Sequence, residues 1–259
     1  MMNKTLLSSS LLTGLLFLPS ISLAEDVITP ATDAANTEAP AAALWSGSSE
    51  LGFIQTSGNS DTQSFNGKFE LVRELAPVET SLNLEALTSE EDGDSSKEKY
   101  LAQLKHDYSL SKRSYLASVL SYEDDRFNGY QYQSSLSVGY GYHAWADKQG
   151  KLDLEVGPGY RRSALEERNE DGNKVEEEAI ARASFNLLVR ISESAKFTEK
   201  FTVEGGESKV VYKSDMGIQS TLIGQLAMKV NYQVKHTTDV PDDKKNTDTL
   251  VGVTLVYSF

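Results

Sequence analysis

Along most of this chain the apolar positions recur at every second residue. The clearest run is Tyr130 to His143, where Tyr130, Tyr132, Ser134, Leu136, Val138, Tyr140 and Tyr142 fall on one side and Gln131, Gln133, Ser135, Ser137, Gly139, Gly141 and His143 on the other. Residues 151–161 divide in the same way, with Leu152, Leu154, Val156 and Tyr160 opposed to Lys151, Asp153, Glu155 and Arg161. Residues 225–237 and the closing segment to Phe259 repeat the division. A period of two sustained over such lengths predicts half-buried β-strands, because successive side chains of a strand point to opposite faces.

The pattern predicts strands at about 48–57, 60–74, 77–89, 97–110, 113–124, 129–143, 150–162, 176–191, 194–205, 208–221, 225–237 and 246–259. Twelve segments over residues 45–259 leave about 18 residues for each strand with its connection, enough for a membrane crossing of about 9 to 11 residues. The expected fold is therefore all-β: a closed antiparallel transmembrane barrel of about 12 strands. Counting from a first strand that starts on the periplasmic side, odd-numbered connections are external and longer: Ser89 to Ser96, Asp124 to Asn128, 163–175 and Thr238 to Asn246. Even-numbered ones, such as Leu75-Ala76-Pro77 and Ser192-Glu193, are short, as outer-membrane barrels require. Gly58-Asn59 and Gly205-Gly206-Glu207 are short exceptions, and Thr221-Leu222-Ile223-Gly224 is a poor turn signal.

Alternation alone does not say whether the apolar face meets lipid or a soluble core. The aromatic spacing favours lipid. Tyr130/Tyr132 and Tyr140/Tyr142 lie ten residues apart, which on a tilted strand is roughly 25 Å along the barrel axis, the height of the apolar band between aromatic girdles. Tyr100, Tyr108, Tyr257 and Phe259 extend these two belts. The opposite face carries both signs of charge, with Lys105, Asp107, Asp153, Glu155, Arg161, Arg182, Lys229 and Lys235 among the residues expected to point into the lumen. They either pair across the lumen and close it or line a narrow pore. A soluble two-sheet sandwich is the competing arrangement, in which the tyrosines pack a core.

The first residues set the compartment. Lys4 precedes an apolar run from Leu6 to Leu18, and Ser22-Leu23-Ala24 places small residues where a signal peptidase reads them, so residues 1–24 are expected to be a leader cleaved after Ala24. Residues 25–44, rich in Ala, Thr and Pro, read as a flexible tether. Without the leader, 24 basic residues face 38 acidic ones, a net charge of -14 that disfavours a nucleic-acid partner. The chain has no Cys, which excludes disulfides and thiolate chemistry.

No nucleophile elbow, phosphate loop or metal-spaced His pair occurs, and no cofactor is expected. By parity His106 and His236 fall on the apolar face, and only His143 reaches the lumen. Acid runs such as Glu176-Glu177-Glu178 and Asp242-Asp243 read as solvated loops. Pro158 lacks the N–H that a central strand donates, so Gly157-Pro158-Gly159 predicts a bulge or bend, its glycines permitting unusual dihedrals and close approach.

Gly58-Asn59-Ser60-Asp61-Thr62, Gly157-Pro158-Gly159-Tyr160, and Thr247-Asp248-Thr249-Leu250 running into Leu255-Val256-Tyr257-Ser258-Phe259 together resemble the YdiY-like, salt-induced outer-membrane protein family, a domain family of unknown function. The resemblance covers about residues 45–259 and implies an outer-membrane barrel with no established activity or residue role. Terminal Phe259, with apolar residues at alternate positions before it, resembles the signal by which barrel proteins are recognised for assembly. Outer-membrane lipids and the barrel-assembly machinery are then the expected partners. The expected function is a non-enzymatic outer-membrane barrel, either a narrow passive pore in envelope or salt-stress adaptation or a structural barrel with a plugged lumen; a lipid-modifying enzyme is the remaining alternative.

Overall fold

The computed structural model describes residues 44–56, 62–91, 94–125, 129–168, 172–240 and 244–259. The leader expected to be cleaved after Ala24, residues 25–43 of the expected tether and the Gly58-Asn59 connection lie outside the described residues. Twelve strands follow one another: β1 (Trp45–Thr56), β2 (Thr62–Leu75), β3 (Val78–Glu91), β4 (Asp94–Ser109), β5 (Ser114–Asp125), β6 (Tyr130–Ala146), β7 (Gly150–Leu165), β8 (Val175–Arg190), β9 (Ala195–Gly205), β10 (Val210–Ile223), β11 (Leu226–Thr237) and β12 (Thr247–Ser258). Each pairs antiparallel with its sequence neighbours, and β12 returns to β1 to close the barrel. The closing seam runs from Ser48↔Ser258 to Leu51↔Leu255. Beyond it, Gly47 and Phe259 exchange two backbone hydrogen bonds of 3.0 Å each.

The wall is inside out relative to a water-soluble domain. Leu136 and Val253 are each 52 % exposed on the outer surface, while Glu155 and Arg161 inside are 5 % and 3 % exposed. Large apolar side chains stand outward on every strand from β1 to β7 and from β10 to β12. β8 contributes Ala179, Ala181 and Ala183 there, and Phe185 stacks on Phe201 of β9 at 5.5 Å. An apolar surface that encircles a molecule far exceeds the few hundred Å² a soluble monomer exposes. A soluble sandwich is excluded by the closed topology.

The two ends differ. Both ends of the barrel chain, Trp45 and Phe259, lie at one end, with the short connections 76–77, 110–113, 147–149, 191–194 and 224–225; we call it the turn end. At the opposite loop end the longest connections are 166–174 and 238–246. Of the Ser89 to Ser96 stretch expected as an external loop, residues 89–91 and 94–96 are strand: the β3–β4 ladder runs on to Glu91↔Asp94, with a register shift at Ser89/Glu90. The weak turn after Thr221 is resolved by Gly224, whose φ of 55° supplies the left-handed position of a two-residue hairpin, preceded by a bulge between Thr221 and Ile223.

The Gly157-Pro158-Gly159 segment is not a bulge. Register is the same on either side of it, Ser137↔Gly159 and Tyr140↔Val156 towards β6, and it is continuous through Pro158↔Ala181 towards β8. The glycines serve close approach: a Cβ on Gly157 would stand 2.3 Å from both Gly139 Cα and Val138 O. Because these contacts are backbone, Gly157→Ala must push β6 and β7 apart, and we expect it to cost about 1–3 kcal/mol, the range for overpacked sites, read as a lower urea midpoint for the refolded protein.

A charged lumen with two chambers

Inward parity places the polar half of each strand in one lumen, where charges from distant strands meet. On the β4–β8 side Glu155 is the hub. Its carboxylate accepts hydrogen bonds from Tyr115 (2.9 Å), Ser184 (3.1 Å) and Arg182 (3.1 Å) and lies 2.6 Å from Lys105 Nζ. Lys105 also donates to Asp107 at 2.5 Å. Arg161 donates to Glu178 (2.6 Å) and to the Lys209 carbonyl (2.9 Å). Inward glycines and small residues of β6 and β7 leave room for this layer: a Cβ on Gly141 would sit 2.2 Å from the Tyr115 ring. The β5–β8 wall is therefore lined with paired charges, and each buried charge has partners to offset its desolvation.

The other side is hollow. A cavity of about 200 Å³ near the loop end is lined by Lys99, Glu123, Lys213, Lys235, Lys244 and Lys245 among others. A second, of about 510 Å³, reaches the turn end past Glu50, Glu70, Glu79, His143 and Lys151. Asn83, Glu85, Gln103, Lys200 and Asp215 line both, so the chambers meet at this level. There Lys68 of β2 crosses to Asp215 of β10 at 2.5 Å and to Glu85 at 3.5 Å, and Lys200 donates to Gln103 at 3.0 Å. The Lys68–Asp215 and Lys200–Gln103 bridges span the lumen and form its neck.

All eight charges singled out from the sequence point inward. Lys229 pairs with Glu50 at 3.0 Å, Lys235 with Glu123, and Asp153 with the His143 ring at 2.6 Å. His106 and His236 lie on the outer face, bonded to Thr80 and Thr247. Tyr100, Tyr108, Tyr140, Tyr142, Tyr257 and Phe259 are outward and exposed. Tyr132 is outward too: it stacks on Tyr122 at 5.6 Å and accepts a hydrogen bond from Arg162.

Tyr130 is the correction. It is 4 % exposed and faces the interior, because a register shift between Tyr130 and Tyr132 inserts one residue and flips parity at the strand end. Its hydroxyl accepts from Lys209 at 2.7 Å. Lys209 sits in the short turn between β9 and β10, which tucks into the mouth and is tied down by Ser208 donating to Glu178. Burial among these groups holds its ammonium down to about 8 against the pull of Glu176.

Glu123, Glu50 and Lys209 are among the lumen groups that the sequence reading did not single out. Glu123 falls within the strand expected over 113–124, just before the expected Asp124 to Asn128 connection, and β5 continues through it. Glu50 was findable by parity with Ser46 and Ser48. Lys209 falls in the segment expected as strand over 208–221 with the parity of the inward Lys213, although β10 begins only at Val210. Among the described residues no group of three His, Asp or Glu is placed to hold a metal ion.

Comparison with known proteins agrees with this architecture. The model of a family described as a protein of unknown function, DUF481, matches residues 49–259. The chain is 26 % identical over 257 residues to the uncharacterized protein YdiY of Escherichia coli (strain K12), covering 98 % of each. Among solved structures, an outer membrane channel from Pseudomonas putida F1 superposes with a TM-score of 0.51 at 11 % identity, covering 83 % of this chain and 95 % of that one. The NanC porin gives a TM-score of 0.46 at 11 % identity, covering 82 % and 97 %.

Proposed function

Since this chain belongs to DUF481, a family of proteins of unknown function, its role must be read from the barrel itself, and we propose that it is a non-enzymatic outer-membrane protein carrying a narrow polar path for ions or small solutes. The observation that supports this reading is the pair of polar chambers that open at opposite ends and share the Asn83-Glu85-Gln103-Lys200-Asp215 neck. Export rests on the leader ending at Ala24, and anchoring on the encircling apolar surface, which meets lipid between the tyrosine belts. The C-terminal strand to Phe259 presents the assembly signal. Adaptation of the envelope, salt stress included, is the setting that the sequence resemblance suggests.

The Lys68–Asp215 bridge favours a second reading, a barrel closed at its neck. Planar-bilayer recordings of the refolded chain and of the Lys68→Gln/Asp215→Asn variant separate the two. We expect small conductance steps from the natural protein and steps several-fold larger from the variant. Steps from the variant alone mean a closed barrel; silence from both removes the pore.

A further inference from the structure

The loop-end chamber places like charges where a strand pair ordinarily avoids them. Lys213 of β10 and Lys235 of β11 are directly opposed in register and both face inward, an arrangement that repels unless an anion sits between them. That anion is Glu123, reaching across from β5: one carboxylate oxygen takes Lys235, and the other takes Lys213 at 2.8 Å with Lys99 at 3.9 Å. One carboxylate thus serves three ammonium groups. Among the described residues Lys244, Lys245 and Lys200 line the same cavity, and two of its other carboxylates, Glu85 and Asp215, are held by Lys68 at the neck. The other two, Asp125 and Asp248, stand opposite Lys99 and Lys235 in register, so that among the described lining residues six lysines face five carboxylates, two of which Lys68 holds, in a chain whose net charge is -13.

From this geometry we infer that the Lys99, Lys213 and Lys235 cluster is a binding site for a small oxyanion, a carboxylate or phosphate group entering from the loop end, and that Glu123 is a tethered carboxylate holding its place. Lys213 is 41 % exposed at its side chain, so the site opens to the chamber. The chamber of about 200 Å³ has room for an oxyanion with some of its water. Ammonium groups bind such anions as point charges through short charge-assisted hydrogen bonds. An incoming anion takes over two lysines as Glu123 swings aside, which is a competition between one charge and another of the same kind. Binding needs no open path; its use as a step in permeation rests on the pore reading.

Inorganic phosphate titrated into the refolded full chain in detergent micelles, followed by calorimetry and by phosphorus line width, tests the site. We expect weak binding by the natural protein, binding several-fold tighter by Glu123→Gln, loss in Lys213→Gln/Lys235→Gln, and retention in Lys213→Arg/Lys235→Arg. Heat-modifiable gel mobility confirms that each variant is folded. Equal affinity in the natural protein, Glu123→Gln and Lys213→Gln/Lys235→Gln, or no binding by Glu123→Gln, overturns the inference. In bilayers Glu123→Gln should shift the chloride-to-potassium permeability ratio upward, and an unchanged ratio removes the permeation step. Phosphate binding without conductance sinks the pore and leaves the site standing.

Discussion

Replacing Glu155 by leucine will destabilise the barrel by about 3–5 kcal/mol, the cost of leaving buried charges without their partner. Lys105 and Arg182 both direct a cation at this carboxylate, and Tyr115 and Ser184 donate to it. Removing the hub leaves two cations close together on the packed wall, with Asp107 and Glu204 as the carboxylates that remain to them. The expected readout is a urea midpoint well below that of the natural protein, with an unchanged slope. Glu155→Leu combined with Lys105→Met and Arg182→Met should recover much of the loss, since an apolar replacement of a whole buried network is often neutral. A midpoint equal to that of the natural protein for the single variant would show that the hub contributes nothing.

Leu136→Arg tests the outer surface. Leu136 lies on β6 between the levels of Tyr132 and Tyr140 and is half exposed. On a protein in water, arginine there changes stability by no more than a few tenths of a kcal/mol. Facing acyl chains near mid-bilayer, it costs about 2–4 kcal/mol. Refolding into phospholipid vesicles, with folded fraction read against urea, distinguishes these outcomes. The same substitution at Tyr257, in the belt at the turn end, should cost about 0–1 kcal/mol because the side chain reaches the headgroups.

Much of the fold was written in the alternation. Leu136, Val253 and their neighbours could not be sorted by a helix, and the number of alternating runs equals the number of strands. Strand ends were less legible, because pairing outlasts the apolar pattern. The β3–β4 hairpin carries acidic residues on paired backbone, and composition there reads as loop. Parity also fails wherever an extra residue enters a ladder, which is why Tyr130 points in while Tyr132 points out. The interior charges were individually recognisable by parity, but not their pairing. Lys68 meets Asp215 and Lys213 meets Glu123 across the lumen, and partners so far apart in the chain leave no local trace. In the Gly157-Pro158-Gly159 motif the close approach expected of the glycines is present, while the register shows no bulge at the proline.

The seam between the first and last strands has a consequence for biogenesis. Eleven of the twelve ladders join consecutive strands and need only nearby chain, so they form as hairpins without waiting. The twelfth joins segments from opposite ends of the barrel sequence. Until the final residues are in place, every growing sheet carries two bare edges able to recruit a neighbouring molecule. β12 abolishes both edges at once, and a molecule lacking that one strand keeps the ladders from β1 to β11 yet remains adhesive at two edges.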